Sequence, residues 1–395
     1  MKVLRLPKAK VELGLPLLWN VRDEEGHLLL SKGHVIHSES QLELLLARGA
    51  FVDIEEVRAT IVKEPDSSQR STRVLPPNLF GLWDKTAAEL QELLVHVDAP
   101  DFAARTDQFA QRIIGLLDIN PDIALYLCVR QDNAQHYWYG YAHCVHTAVL
   151  CVLMVRQLQW PHERMMSLVK AALTMNIPIL ELQGQMASQD VPMRDSQREK
   201  IHRHPGIALE ILTKAGITDV DWLDAIAQHH ERAGGSGYPK GLKEVGEMAV
   251  ALRVADVFMA KISPRALREA LSPQAAVRQL YSEDAGGPLS TAVVKQFGLY
   301  PPGDYVKLVS GELAVVVQRT SNAKAPIVAA LTDAAGHPTA TTVRLDTGQK
   351  EHAIAGAATD KSMLKRLAPE RLYGFVAVPD AFVNPAPEPA APAAP

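Results

Sequence analysis

From residue 79 to about residue 300 the apolar residues of this chain recur at helical spacing in one segment after another, with short polar breaks between them. "LFGLWDKTAAELQELLVHV", "TDQFAQRIIGLLDINPDIALYLCVR", "YAHCVHTAVLCVLMVRQLQW" and "ERMMSLVKAALTMNIPILEL" set the pattern. "REKIHRHPGIALEILTKAG", "DVDWLDAIAQHHERAGG", "GEMAVALRVADVFMAKIS" and "SPQAAVRQLYSE" continue it. Each segment has an apolar stripe to bury, and a bundle of helices packed on one another buries them all. A break in the second segment is expected at Asn120-Pro121, because proline cannot continue a helix behind it.

Outside this region the period changes. "DYVKLVSGELAVVVQR" reads as strand, turn at Ser310-Gly311, and strand, and "APIVAALTDAAGHPTATTVRL" repeats the style, so residues 301–378 are expected to form a small β-rich module. Residues 379–395, ending in "NPAPEPAAPAAP", are low in complexity and expected to be disordered. At the other end, residues 1–62 are expected to be a small α+β module. Two strand-like runs flank the turn signal Asp23-Glu24-Glu25-Gly26, followed by a helix capped by Ser38 with Gln41 and stopped by Gly49, then the strand "AFVDI". Residues 63–78, polar and rich in proline and serine, read as a linker to the helical domain at 79–300.

Charge excludes one class of partner. Lys plus Arg number 41 and Asp plus Glu 45, a formal charge of −4, which gives no electrostatic reason to expect nucleic acid. The three cysteines, Cys128, Cys144 and Cys151, lack any metal-type spacing and read as small buried hydrophobes of a reducing compartment. The most apolar run, "TAVLCVLMV" at 147–155, is too short to span a bilayer, and the N-terminus has no signal-peptide core. A cytoplasmic protein without a membrane segment is the expectation.

Histidines carry the chemistry. A single histidine on an apolar helix is usually a packed, hydrogen-bonded residue, but here several stand where a bundle could converge them: His143 and His146, His204 before a proline, and the adjacent His229 and His230. Asp256 lies in another apolar helix. Inward side chains on facing helices are how bundles build metal sites.

The stretch "HHERAGGSGYPKGL" at 229–242 resembles the signature of HD-GYP domains, a subset of the HD phosphohydrolase superfamily, whose pattern is roughly HHExxDGSGYPxGL. "HCVHTAVLCVLMVRQL" is similar to the family's first-histidine helix, with His143 matching. "HRHPGIALEIL" matches its His-Pro segment through His204, and "LRVADVFMAKISPR" its late aspartate segment through Asp256 and Arg265. The resemblance covers about residues 100–375 and implies a mainly α fold: an HD-type helical bundle, flanked here by the N-terminal α+β and C-terminal β-rich modules. It also implies bacterial cyclic di-GMP signalling. Members hydrolyse that dinucleotide to pGpG or GMP, using two or three metals, commonly iron or manganese. The Gly237-Tyr238-Pro239 loop and Arg265 correspond to a partner or ligand surface, with GGDEF-domain proteins and cyclic di-GMP as the implied partners.

The name-giving segment departs from the pattern. Where relatives read about AALLHDIGK, this chain has "AALTMNIPI": Met175 replaces the histidine, Asn176 the bridging aspartate and Ile179 the lysine. A neutral amide cannot bridge two metals as an anion, and a thioether suits iron or manganese poorly. Gly234, Met259, Leu267 and Tyr139 also stand where family members carry aspartate, aspartate, tyrosine and, in some, a metal-binding glutamate. No catalytic residues are therefore expected. His143, His204, His229, His230 and Asp256 are the residual metal candidates, with His143 and Asp256 left as two ligands and the three other imidazoles able to hold one zinc-like divalent ion. No cofactor is fixed by the residues, and a dinuclear iron or manganese pair is not expected. The leading reading is a degenerate, non-catalytic binding or scaffolding module. The alternatives are a metal-dependent phosphodiesterase with a reorganised site, and a structural part of a larger assembly.

Overall fold

The structure is a computed structural model that describes residues 78–130 and 138–358 without a break, most of 3–57, and residues 367–374, 376 and 378. Its contacts divide it into two compact units, Met1–Asp84 with Ser362–Pro395, and Lys85–Lys361.

The first unit holds a four-stranded antiparallel sheet of order β1-β4-β2-β3, made from β1 (Val3–Arg5), β2 (Val21–Arg22), β3 (Leu28–Leu30) and β4 (Phe51–Asp53). Helix α1 (Glu39–Ala47) buries Leu42 and Leu45 in a core with Leu17, Trp19, Ile36 and Val52. The turn at 23–26 forms as the sequence suggests. Asp23 N–H donates to the His27 carbonyl at 2.9 Å, and the Asp23 carboxylate accepts from the Glu25 and His27 amides. The Ser38 cap, the linker over 63–77 and the tail from 379 onward lie outside the described residues. The C-terminal helix α13 (Pro369–Tyr373) belongs to this same unit. Its Tyr373 ring lies 5.6 Å from that of Phe80, and Leu79 N–H donates to the Val376 carbonyl at 3.0 Å. The sequence treats 301–378 as one module; in the structure the sheet closes at Ala357, and the described residues between 367 and 378 fall in the N-terminal unit.

Helix α2 (Leu79–Val95) leads into the second unit, where α3 (Phe102–Ile119) and α4 (Pro121–Val129) meet at the expected break. The Asn120 side chain accepts from the Asp122 and Ile123 amides at 3.0 and 3.1 Å, and Pro121 fills the first helical position, where no N–H is needed. Helix α5 (Tyr139–Gln157) is the centre of the bundle: 14 of its 19 residues are buried, His143 among them. Against it lie α6 (His162–Thr174), α7 (Leu180–Ser188) and α10 (Glu247–Ile262), with a 3₁₀ turn at Ile177–Ile179 joining α6 to α7. Gly140 lets α5 and α7 touch, since a Cβ there would stand 2.6 Å from the Leu180 carbonyl. Around this centre pack α8 (Asp195–Lys214), α9 (Val220–Gln228), α11 (Pro273–Glu283) and α12 (Pro288–Phe297).

One stretch, His162–Ser188, is long and apolar enough to cross a membrane by length and composition, but 78% of its most apolar window is buried inside this bundle. A mostly buried apolar stretch with a few exposed polar residues is what a core segment of a large helical domain requires.

The same unit ends in a five-stranded antiparallel sheet of order β8-β7-β6-β5-β9: β5 (Tyr305–Leu308), β6 (Leu313–Gln318), β7 (Ile327–Thr332), β8 (Pro338–Asp346) and β9 (Ile354–Ala357). The β5–β6 hairpin turns at Ser310-Gly311 as the alternation predicts, and Val306, Leu308, Ala314, Val316 and Val328 form its core. Arg319 fastens the sheet to the helices, donating to the Asp122 carboxylate and, at 3.0 Å, to the Gln296 carbonyl.

Candidate metal centre

The residual candidates fall into two groups. On α5, His143 Nε2 lies 2.7 Å from Asp256 Oδ1 of α10, both side chains nearly fully buried. Burial pushes the Asp256 carboxyl up, but the hydrogen bond and charge of His143, with His230 and His229 nearby, outweigh it and hold the group below the usual carboxylate range. The pair is closed on itself: the Nε2 proton goes to the carboxylate, and His143 Nδ1 is buried without a hydrogen-bond partner. His146, one turn on, is half-buried with a buried, unpartnered Nδ1, and burial first, then the neighbouring His143, pulls its pKa down to about 3.

The second group is His204, His229 and His230, whose ligand atoms all lie within 4.8 Å of one another. His204 sits inside α8 and His229 caps the end of α9. Each is turned by a backbone carbonyl: His204 Nδ1 is 2.5 Å from the Ile201 carbonyl and His229 Nδ1 2.7 Å from that of Ile226. Because a carbonyl only accepts, both Nδ1 atoms carry the proton and both Nε2 atoms carry lone pairs. Those two lone pairs face each other at 3.1 Å, with no proton to share between neutral rings. The arrangement asks for a cation. A proton is disfavoured, since burial, the largest influence on each, lowers the pKa of all three rings, that of His204 to about 3. Two nitrogens bound at 2.0–2.1 Å to a tetrahedral ion stand about 3.3 Å apart, close to the spacing observed. An imidazole anchored through its other nitrogen to a backbone carbonyl is the usual support of a metal ligand.

The third ring, His230, is held by stacking. Tyr238 lies 4.6 Å from it at 25°, and His202 backs Tyr238 at 4.9 Å and 22°. Tyr238 belongs to the Gly-Tyr-Pro turn, and the fold gives that turn its own reasons. Glu231, fully buried, accepts from the amides of Lys240 at 2.7 Å and Leu242 at 3.0 Å, closing the loop on itself. A Cβ at Gly237 would lie 2.3 Å from the Arg232 nitrogen, so only glycine fits. Pro239 follows Tyr238 directly, half-buried.

Arg265 is not among the loop contacts. Its Nε donates to Tyr139 Oη at 2.9 Å with the guanidinium 5.2 Å from the Tyr139 ring, and that ring stacks on His143 at 6.0 Å and 3°. Tyr139, which the sequence registers only as a missing glutamate, thus joins Arg265 to the His143–Asp256 pair.

The remaining positions carry no charge. Met175 and Met259 are fully buried, and Ile179 and Asn176 nearly so. The Asn176 amide nitrogen points to Cys144 Sγ at 4.0 Å. This donor set does not fit a pair of hard ions, because nothing anionic replaces the bridge and Asp256 is already paired. Three imidazoles without a carboxylate fit a single borderline ion such as zinc.

Residues 127–286 match the family model described as HD domain. Cyclic di-GMP phosphodiesterase PA4108 of Pseudomonas aeruginosa is 28% identical over 185 residues, covering 46% of this chain and 45% of that protein. The cyclic di-GMP phosphodiesterase response regulator RpfG of Xanthomonas campestris pv. campestris is 38% identical over 96 residues, covering 23% and 25%. The matches thus span less than half the length of either relative. Among solved structures, Bd1817, an HDG"Y"P protein from Bdellovibrio bacteriovorus, gives a TM-score of 0.45 at 14% identity, covering 74% of this chain and 99% of that one. Within the helical region, residues 127–286 are thus similar to HD domains. Its His229-His230-Glu231 run and Gly237-Tyr238-Pro239 turn resemble the HD-GYP signature.

Proposed function

We propose that the chain is a non-catalytic HD-GYP module of bacterial cyclic di-GMP signalling, which binds or scaffolds and keeps one ion between His204, His229 and His230. Both curated relatives are cyclic di-GMP phosphodiesterases, which supports a role in cyclic di-GMP signalling. The observation that carries the non-catalytic reading is Asn176. It is buried and neutral beside Cys144, while the carboxylate of Asp256 is taken up by His143. Phosphodiester hydrolysis by two metals depends on ions that clamp both the attacking and the leaving oxygens, and this donor set supports at most one such ion. Among the loop residues Arg232, Ser236 and Lys240 are exposed, and they supply a polar face for a GGDEF-domain protein or the dinucleotide itself. The buried cysteines Cys128, Cys144 and Cys151 suit a reducing cytoplasm.

Purified protein is expected to hydrolyse cyclic di-GMP no faster than background with added Mn²⁺ or Fe²⁺. Turnover near one per second, ordinary for an enzyme, would show instead a phosphodiesterase with a reorganised site. A titration of the same sample with cyclic di-GMP separates a nucleotide-binding module from one that serves only as a structural part.

A further inference from the structure

Proline inside a helix has two local consequences: it lacks the N–H that should reach the carbonyl four residues back, and its ring crowds that carbonyl. Pro205 lies inside α8, so the carbonyl it abandons is that of Ile201. This is the same carbonyl that His204 Nδ1 meets at 2.5 Å. Pro205 and His204 are both buried, and Ile201 is half-buried. With any other residue at 205, the carbonyl would be the acceptor of an ordinary helical bond. The His204 ring would then compete with that helical N–H for the contact that decides which nitrogen carries its proton. His229 solves the same problem differently, since Ile226 is among the last four residues of its helix, whose carbonyls have no intrahelical donor.

We propose that Pro205 is a positioning residue for His204. By withholding its N–H it leaves the Ile201 carbonyl to hold His204 Nδ1–H, and so keeps the Nε2 lone pair turned toward His229. This rests on the single-ion reading for its consequence in affinity, but the orientation itself does not need the ion.

The test is Pro205→Ala, with Pro205→Met as a second variant that also restores the N–H. Three quantities are read: the His204 tautomer in metal-free protein by ¹⁵N shifts of the ring, zinc affinity by titration, and the thermal midpoint of the metal-free protein. The expected result has opposite signs. The midpoint rises, because a helical hydrogen bond returns and a helix breaker goes. The Nδ1–H tautomer loses its dominance, and zinc binds tenfold or more weakly, the usual effect of losing a ligand's outer hydrogen bond. A merely structural proline would not move stability and affinity in opposite directions. An unchanged tautomer with zinc affinity within about twofold of the original would overturn the proposal. So would failure of both variants to fold, since restoring a helical N–H should add stability. If the tautomer shifts as expected but the unaltered protein binds no zinc, the positioning role stands and the single-ion reading falls.

Discussion

The double substitution Met175→His with Asn176→Asp is expected to raise the metal content from one ion per chain toward two. Both residues are buried where α6 passes into the 3₁₀ turn, and Asn176 already faces α5 beside Cys144, the neighbour of His143 in sequence. An aspartate there would be an anion in a water-free place, and without a cation it would either protonate or destabilise the fold. With iron or manganese present, that cost becomes a driving force for uptake, because hard ions depend on anionic oxygen ligands. The metal-free variant should therefore melt below the unaltered protein, and added Mn²⁺ should restore much of the loss. Full activity is not expected, because Ile179 still lacks the family's lysine and Gly234 its aspartate. Metal content by mass spectrometry, on both proteins prepared side by side, decides the matter. A folded double variant that takes up nothing extra would mean that these residues do not converge.

The largest effect on stability is expected from Glu231→Ala. Its carboxylate is fully buried and accepts two backbone N–H groups across the Gly-Tyr-Pro loop. Hydrogen bonds to a charged group contribute about 1.5 kcal/mol or more each, and removing the acceptor leaves both donors unmatched. A loss of about 3 kcal/mol should appear as a lower urea midpoint at constant slope. Glu231→Gln should lose nearly as much, since it offers one oxygen where two are used and turns an NH₂ group toward a backbone donor. If the glutamine variant is as stable as the original, the contribution comes from packing and not from these bonds.

The bundle could be read from the sequence because each helix writes its buried face at a period near 3.6, and the hairpins at 305–346 because theirs is 2. The same reasoning could not show that residues 369–376 belong with Leu79 and Phe80, since no local pattern reports a contact across nearly three hundred residues. At the site, the family pattern named His204, His229 and His230, and the structure gathers them. It also named His143 and Asp256, which are hydrogen-bonded to each other, with His229 and His230 of the trio nearby. What fixes the tautomers was not legible, because it depends on the carbonyls of Ile201 and Ile226, and a carbonyl has the same identity in every residue. The one available signal was the proline that follows His204 within an otherwise helical segment. Glu231 was visible as a carboxylate beside two histidines, but that placement alone suggests a ligand as readily as a loop staple.

The most direct test of a single ion held by three imidazoles is the metal content of the full chain, measured by mass spectrometry after purification without chelators, beside that of His229→Ala. His229 supplies one of the two Nε2 atoms that face each other at 3.1 Å. The account predicts one zinc-like ion per chain in the unaltered protein and none in the variant. Two ions per chain, or an ion that survives the loss of His229, would contradict it.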